Sequence, residues 1–320
     1  MKVAFAGVFA GQVADRVRAR LRIPCEVTLT DDREAVARLG DIDVLVSMAF
    51  TREMAVAAPR LRLVQVPGAG LDRIDRGALA PGTALANAYG HDVGIAEYVI
   101  GAMLAVTRTF CRVDADLRRG RWDSVWSGAP VPLWPELAGK TLGIIGYGRI
   151  GQAVARRALA FDMDVLAIRR DASRPDPHRL AFLRGPAALD EVLGRADYLA
   201  LTLALTPDTR GLIGAPQLAR LRPTAVLVNV ARGEVVDEDA LYDALHRRVI
   251  AGAALDVWYR YPSGEAPTHP GHRPFHELPN VLMTPHVSGW TEGMMDARAG
   301  VIAENIHRTA RGEAPVNHIR

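Results

Sequence analysis

Short, continuous apolar runs alternate with longer segments in which apolar residues return at helical spacing, from one end of the chain to the other. The first half gives KVAFAG, CEVTLT, DVLVSM, LRLVQVPG and TALANA; the second gives TLGIIG, DVLAIR, ADYLALTLA, AVLVNVA, GAALDVW and NVLMTPH. A strand buried on both faces is apolar throughout, and strands separated by helices build parallel, doubly wound sheets. Two such series predict two α/β domains. Between them the pattern predicts one long helix over Asp92 to Arg119, with Asp92 as N-cap and Gly120 just beyond its end. A Pro- and Trp-rich loop, SVWSGAPVPLWPELAGK, leads into the second series, and a further helix is expected from about Thr291 to Ala310. Helices at both ends of the second series suit a chain that crosses to a second domain and returns, leaving a cleft between the two.

A length of 320 residues is sufficient for two separate cores, and 49% hydrophobic with 23% charged residues fits a globular protein in water. No apolar run reaches membrane-spanning length, and the N-terminal MKVAFAGVFAGQ is too short and Gly-broken for a signal peptide, so no membrane association is expected. Cys25 and Cys111 have neither metal-ligand nor disulfide spacing, which predicts buried thiols, no bound metal and a reducing, cytoplasmic setting. The net charge of +3 does not imply nucleic-acid binding, because acids are scattered among the bases. Lysine occurs only at Lys2 and Lys140, so any single arginine carries less information than usual.

The strongest chemical motif is TLGIIGYGRIGQAVARRALAF, in which a strand runs into Gly146-Tyr147-Gly148-Arg149-Ile150-Gly151 and then into a helix. Gly146 is expected to make a tight turn, Gly148 to let the backbone approach a pyrophosphate, and Gly151 to let helix and strand pack closely. The next strand ends DVLAIRRD, with Arg169 and Arg170 where an acid reads the ribose of NAD. A pair of guanidinium groups suits a 2'-phosphate, so NADP is expected over NAD; a generally Arg-rich surface with Asp171 one step beyond is the bland reading.

Three further strands end in polar residues: Arg232 after LVNVA, Asp256 after GAAL and His286 after NVLMTP. In an open parallel sheet the carboxyl edge is where ligands bind. A cation, an acid and an imidazole there suit hydride transfer to a 2-keto acid: Arg232 clamps the carboxylate and polarises the carbonyl, and His286 gives a proton to the oxygen.

With these segments assembled, the chain resembles the D-isomer-specific 2-hydroxyacid dehydrogenase family. The resemblance is carried by PGAGLDRID at 67–75, NAYGHDVGIAEYVIGAML at 87–104, the glycine loop, LTPDTRGLIG at 205–214, VNVARG at 228–233, ALDVW at 254–258 and TPHVSG at 284–289. It implies a flavodoxin-like substrate domain, residues 1–95 with 290–320, and an inserted Rossmann domain, residues 96–289. It also implies that the backbone of Ala69, Gly70 and Leu71 holds the substrate carboxylate and that Asn87 lies near the substrate. Around the cofactor it implies Arg149, Ile150, Thr209, Val230, Ala231 and Gly289, with Asp256 beside the nicotinamide carboxamide. Relatives are commonly dimers through the region following residue 92, so a homodimer is expected. Trp134, Tyr259, Tyr261 and Trp290 are candidates to line the site, and each is equally an ordinary packing aromatic.

The family pattern departs at one position. Relatives carry a glutamate five residues after the Asp of ALDVF, followed by Pro; here Tyr261 stands in that place, before Pro262. That glutamate orients the histidine and raises its pKa, which a neutral phenol does not do by charge. Glu265, close by, is a candidate substitute. Formate dehydrogenases of the superfamily have an amide there, so formate oxidation is an alternative, as is a non-catalytic dinucleotide-sensing partner of the corepressor kind. A Rossmann enzyme using S-adenosylmethionine has no role for VNVARG or TPHVSG.

Overall fold

The computed structural model describes residues 1–31, 35–128, 131, 133–264 and 266–319. Its strands are, in chain order, β1 (Lys2–Ala6), β2 (Glu26–Thr30), β3 (Val44–Ser47), β4 (Leu63–Gln65), β5 (Ala84–Ala86), β6 (Thr141–Ile145), β7 (Asp164–Ile168), β8 (Phe182–Arg184), β9 (Tyr198–Leu201), β10 (Val226–Asn229), β11 (Gly252–Leu255), β12 (Val281–Met283) and β13 (His318–Ile319). The helices are α1 (Val8–Arg18), α2 (Arg52–Ala57), α3 (Asp92–Thr107), α4 (Phe110–Arg118), α5 (Arg149–Ala160), α6 (Leu189–Arg195), α7 (Ala215–Leu218), α8 (Glu238–His246) and α9 (Glu292–Arg311). Two compact units result, Met1–His91 with Trp290–Arg320, and Asp92–Gly289. Helix α3 falls whole in the second unit, so the division comes at its first residue and not within it.

In the first unit the sheet runs β13-β5-β4-β3-β1-β2, parallel except for β13. This is the doubly wound, flavodoxin-like order, with β3 and β2 on either side of β1. One face is covered by α1 and α9, whose Ala10, Val13, Met294, Ile302 and Ile306 share a core with Val3 and Phe5 of β1. The other face buries Leu45, Phe50, Met54 and Val64. The last segment is tied down by Asn305 of α9, which donates to Gln65 Oε1 at 2.6 Å and to the Val316 carbonyl at 3.0 Å and accepts from Val316 N.

The second unit carries the order β12-β11-β10-β9-β6-β7-β8, all parallel. Strand order reverses at β6, between β7 and β9, which is the switch point of a Rossmann sheet. Helices α3 and α5 cover one face through Ile95, Val99, Met103, Val154 and Ala158. Residues of α6 and α8, among them Val192, Leu193, Leu241 and Leu245, lie in the core on the other. Each aliphatic side chain fully buried in this way contributes about 1.5–3 kcal/mol.

Three expectations need correction. The helix predicted over Asp92 to Arg119 is two helices, bent by 58° where Thr109 takes the left-handed conformation, φ 50°. Helix α3 is apolar nearly all round and lies in the core, whereas α4 buries only Asp116, so the break lets the chain leave the interior. Asp92 begins the helix in its first turn, a favourable place for a carboxylate, and is not the residue preceding it. Cys111 is exposed on α4, not buried. No single helix among the described residues is long and apolar enough to cross a membrane.

Candidate active site

The glycine loop follows β6 at the switch point. Gly146 has φ +107°, and a Cβ there would lie 2.7 Å from Leu203 N. A Cβ on Gly151 would lie 2.5 Å from the Gly146 carbonyl oxygen, so only glycine lets α5 start this close to the turn. At Gly148 a Cβ would meet no protein atom within 4 Å; this outer side of the turn is open. Gly148 is also the N-cap of α5, with no side-chain cap and no acid in the first turn. The first amides of the helix and its positive dipole end therefore remain available to an anion, with Arg149 and Ile150 in that turn. The residues fit a dinucleotide pyrophosphate.

At the end of β7 the two arginines have separate fates. Arg169 donates to the carbonyls of Arg174, of Ala172 at 3.5 Å and of Pro175 at 3.3 Å, and its guanidinium lies 5.8 Å from the Tyr147 ring centre. It is thereby committed to folding its own loop. Arg170 is exposed. Asp171 is occupied by Ser173 N and Oγ and by Arg174 Nε. Thr209, expected near the cofactor, organises its loop by accepting from Thr206 N at 2.7 Å and donating to the Ala204 carbonyl at 2.8 Å.

The turn carrying Arg232 is fixed by a residue that sequence reasoning passed over. Asn229 accepts from Ala231 N and donates to the Arg232 carbonyl, both at 3.0 Å. Val230 and Ala231 are buried beneath it, and Arg232 donates to the Ala231 carbonyl at 2.7 Å. Asparagine after a buried strand, two residues before the amide it accepts from, is a recognisable Asx-turn signal.

Asp256 is fully buried, and its carboxylate binds the histidine loop. It accepts from Thr284 Oγ1 at 2.6 Å, Val287 N at 2.9 Å and Ser288 N at 2.9 Å. Tyr98 of α3 meets Thr284 Oγ1 at 2.7 Å, and Trp258 Nε1 donates to the Thr284 carbonyl at 2.8 Å. Burial pushes the Tyr98 phenol up to about 12, so it stays neutral within this chain of bonds. Thus the loop is held from three sides while His286 itself takes φ 59°, a conformation that most side chains avoid.

Tyr261 Oη lies 2.8 Å from His286 Nδ1, with Trp258 N donating to the same phenol at 3.4 Å. Tyr261 is therefore the hydrogen-bond partner of the His286 ring. Surrounding protein lowers the His286 pKa first by desolvation; Asp256 opposes this and Arg232 adds to it. The phenol is raised chiefly by burial and feels the same two charges. Arg232, Asp256, Tyr261 and His286 thus form one electrostatic group. Glu265 lies outside the described residues. Tyr259 stacks on Phe275, with ring centres 6.3 Å apart, as a packing aromatic.

In the first unit, Ala69, Gly70 and Leu71 follow β4 at the carboxyl edge of its sheet and are partly buried. Asn87 is buried; its Nδ2 donates to the Ala69 carbonyl at 3.0 Å and its Oδ1 has no partner among the described residues. Asn87 holds the 69–71 loop. Trp290 is half exposed and edge-on to Phe9, with centroids 5.2 Å apart.

Residues 100–288 match the model of the D-isomer specific 2-hydroxyacid dehydrogenase NAD binding domain. A glyoxylate reductase of Korarchaeum cryptofilum is 36% identical over 88% of this chain and 84% of its own. A D-3-phosphoglycerate dehydrogenase of Methanocaldococcus jannaschii is 37% identical over 89% of this chain, which spans about half, 53%, of that longer protein. Among solved structures, an acyclic imino acid reductase in complex with NADPH and D-Arg superposes with a TM-score of 0.82 at 26% identity, covering all of both chains. The second unit is an NAD(P)-binding domain, and with that match and these relatives the chain belongs to the D-isomer specific 2-hydroxyacid dehydrogenase family.

Proposed function

We propose that this protein is a cytoplasmic NAD(P)-dependent reductase of a small 2-keto acid, working in reverse as a D-2-hydroxyacid dehydrogenase. What carries the assignment is His286, held at Nδ1 by Tyr261 and facing the charges of Arg232 and Asp256. A nicotinamide dinucleotide bound along Gly146–Gly151 supplies the hydride. The protein's own part is to bind and protonate. The Arg232 guanidinium holds the substrate carboxylate and polarises the carbonyl. His286 in its imidazolium form donates Nδ1–H to Tyr261 Oη and releases the Nε2 proton to the carbonyl oxygen. Asp256 keeps the loop in place. Val230, Ala231, Thr209 and Gly289 line the cofactor's path.

NADP is the preferred cofactor in this reading, through Arg170, because Arg169 is spent on its own loop and Asp171 on Ser173 and Arg174. The test is oxidation of NADPH and NADH with glyoxylate, hydroxypyruvate and larger 2-keto acids, with formate in reverse. Arg170→Ala is expected to raise KM for NADPH about tenfold, the value of one charge-assisted phosphate contact, and to leave NADH unchanged. Equal effects on both cofactors would refute the NADP assignment; formate as the only substrate, or none, would refute the reductase.

A homodimer is the third part of the proposal. Trp122, Val125, Trp126 and Leu133 are 60%, 71%, 89% and 99% exposed, large apolar side chains that a partner subunit would cover. Sedimentation velocity is expected to give twice the 34.6 kDa chain mass, and a monomer at micromolar concentration would sink this part.

A further inference from the structure

We propose that Arg298 and the first turn of α1 form an oxyanion site for a second carboxylate or a phosphate carried by the substrate. Arg298 lies on the core-facing stripe of α9 with Met294, Met295, Ala299 and Ile302, and is only 7% exposed. Among the described residues no carboxylate, carbonyl or hydroxyl pairs with it. Its Nε is buried without a hydrogen-bond partner, and the guanidinium's one neighbour of note is the Phe9 ring, at 5.2 Å. The arginines around it behave differently: Arg16 of α1 and Arg20 just beyond its end share Asp296, and Arg308 and Arg311 pair with Glu304 and Glu313. Burial lowers the Arg298 pKa to about 10 with no acid opposing it, which still leaves the group cationic at neutral pH. A buried cation without a counter-ion destabilises the fold unless an anion arrives to pair with it.

The location supplies the rest of the site. Phe9, beneath the guanidinium, is in the first turn of α1, whose N-cap is Gly7 at φ 86° with no side-chain cap and no acid nearby in the turn. Unfilled amides, a positive dipole end and a planar guanidinium are the donor set that binds a carboxylate or phosphate. This turn leaves the carboxyl end of β1, the edge from which the 69–71 loop also leaves β4. The substrate class is then a 2-keto acid whose far end is itself anionic. This assignment rests on the reductase reading; the site itself does not.

Two measurements separate them. In thermal unfolding at matched ionic strength, succinate or inorganic phosphate is expected to raise the wild-type Tm over chloride, and Arg298→Met, which keeps the packing volume, is expected to show no such rise. Arg298→Met is also expected to melt higher than wild type in chloride, since the unpaired charge is gone, while Arg298→Lys retains part of the anion response. No anion response in wild type, or an equal one in Arg298→Met, overturns the site. In kinetics, Arg298→Met is expected to raise KM about 10- to 100-fold for 2-ketoglutarate or phosphohydroxypyruvate, and to leave 2-ketobutyrate and hydroxypyruvate within about twofold. The more affected substrate tells carboxylate from phosphate. Equal change for all four overturns the substrate class. A wild type that reduces none of them refutes the reductase reading, and the melting experiment still decides the site.

Discussion

His286→Asn is expected to lower kcat for 2-keto acid reduction about 100- to 10,000-fold, the range that a positioned general acid contributes. Asparagine is the informative replacement because position 286 sits at φ 59°, which asparagine tolerates better than alanine or glutamine. The loop does not depend on the imidazole for its shape. Asp256 grips it through the main-chain N–H groups of Val287 and Ser288 and through Thr284, all of which survive the substitution. The variant should therefore melt with wild type and bind NADPH equally in a fluorescence titration, while losing turnover. Retention of more than about a tenth of wild-type kcat would remove His286 from the acid's role and assign the proton to another donor or to water.

Those parts of the molecule that rest on local chemistry were legible from the residues. Apolar runs marked eleven strands of the two sheets, because a strand covered on both faces has no polar side to obscure it. Gly146 and Gly151 announced their own constraints, and the contacts a Cβ would make there are backbone contacts. Strand β8 lies at the edge of its sheet with only Phe182 buried, and β13 has two residues, so neither leaves an apolar run. The break at Thr109 was hidden because every residue on either side is acceptable in a helix; the bend follows from which segment has a core to face. Partner choice was equally unreadable. Arg169 and Arg170 are adjacent and identical in type, yet carbonyls of residues 172–175 claim the first and leave the second exposed. Asp256 sits at a strand end, as a ligand-facing acid would, but its oxygens are taken by residues thirty positions further on. Arg298 lies in an ordinary amphipathic helix, and only the lack of a partner in three dimensions singles it out.

Tyr261→Glu is expected to move the pH dependence of catalysis in opposite senses for the two directions. Reduction consumes the imidazolium proton of His286, so its rate falls as pH rises through the histidine's pKa. Oxidation needs the neutral ring and rises through the same value. In wild type that pKa is held below the ordinary 6.5, by desolvation first and by Arg232 after it, against the pull of Asp256. Tyr261 does nothing to offset this by charge, because its phenol, raised further above its ordinary 10.0 by desolvation, is neutral over this range. Wild-type reduction should thus be an acid-side activity, largely lost by pH 8. A glutamate at the same place puts a negative charge within hydrogen-bond range of Nδ1 and raises the histidine's pKa by about 1–2 units. The falling limb of reductive kcat/KM should shift upward by that amount, giving about 10- to 100-fold more reduction at pH 8, and the rising oxidative limb should shift with it. Tyr261→Phe removes the hydrogen bond and adds no charge, so it should lower kcat without raising either limb. That contrast separates orientation of the ring from control of its proton. If the reductive limbs of wild type and Tyr261→Glu coincide, position 261 does not set the acidity of His286, and desolvation together with the charges of Asp256 and Arg232 sets it instead.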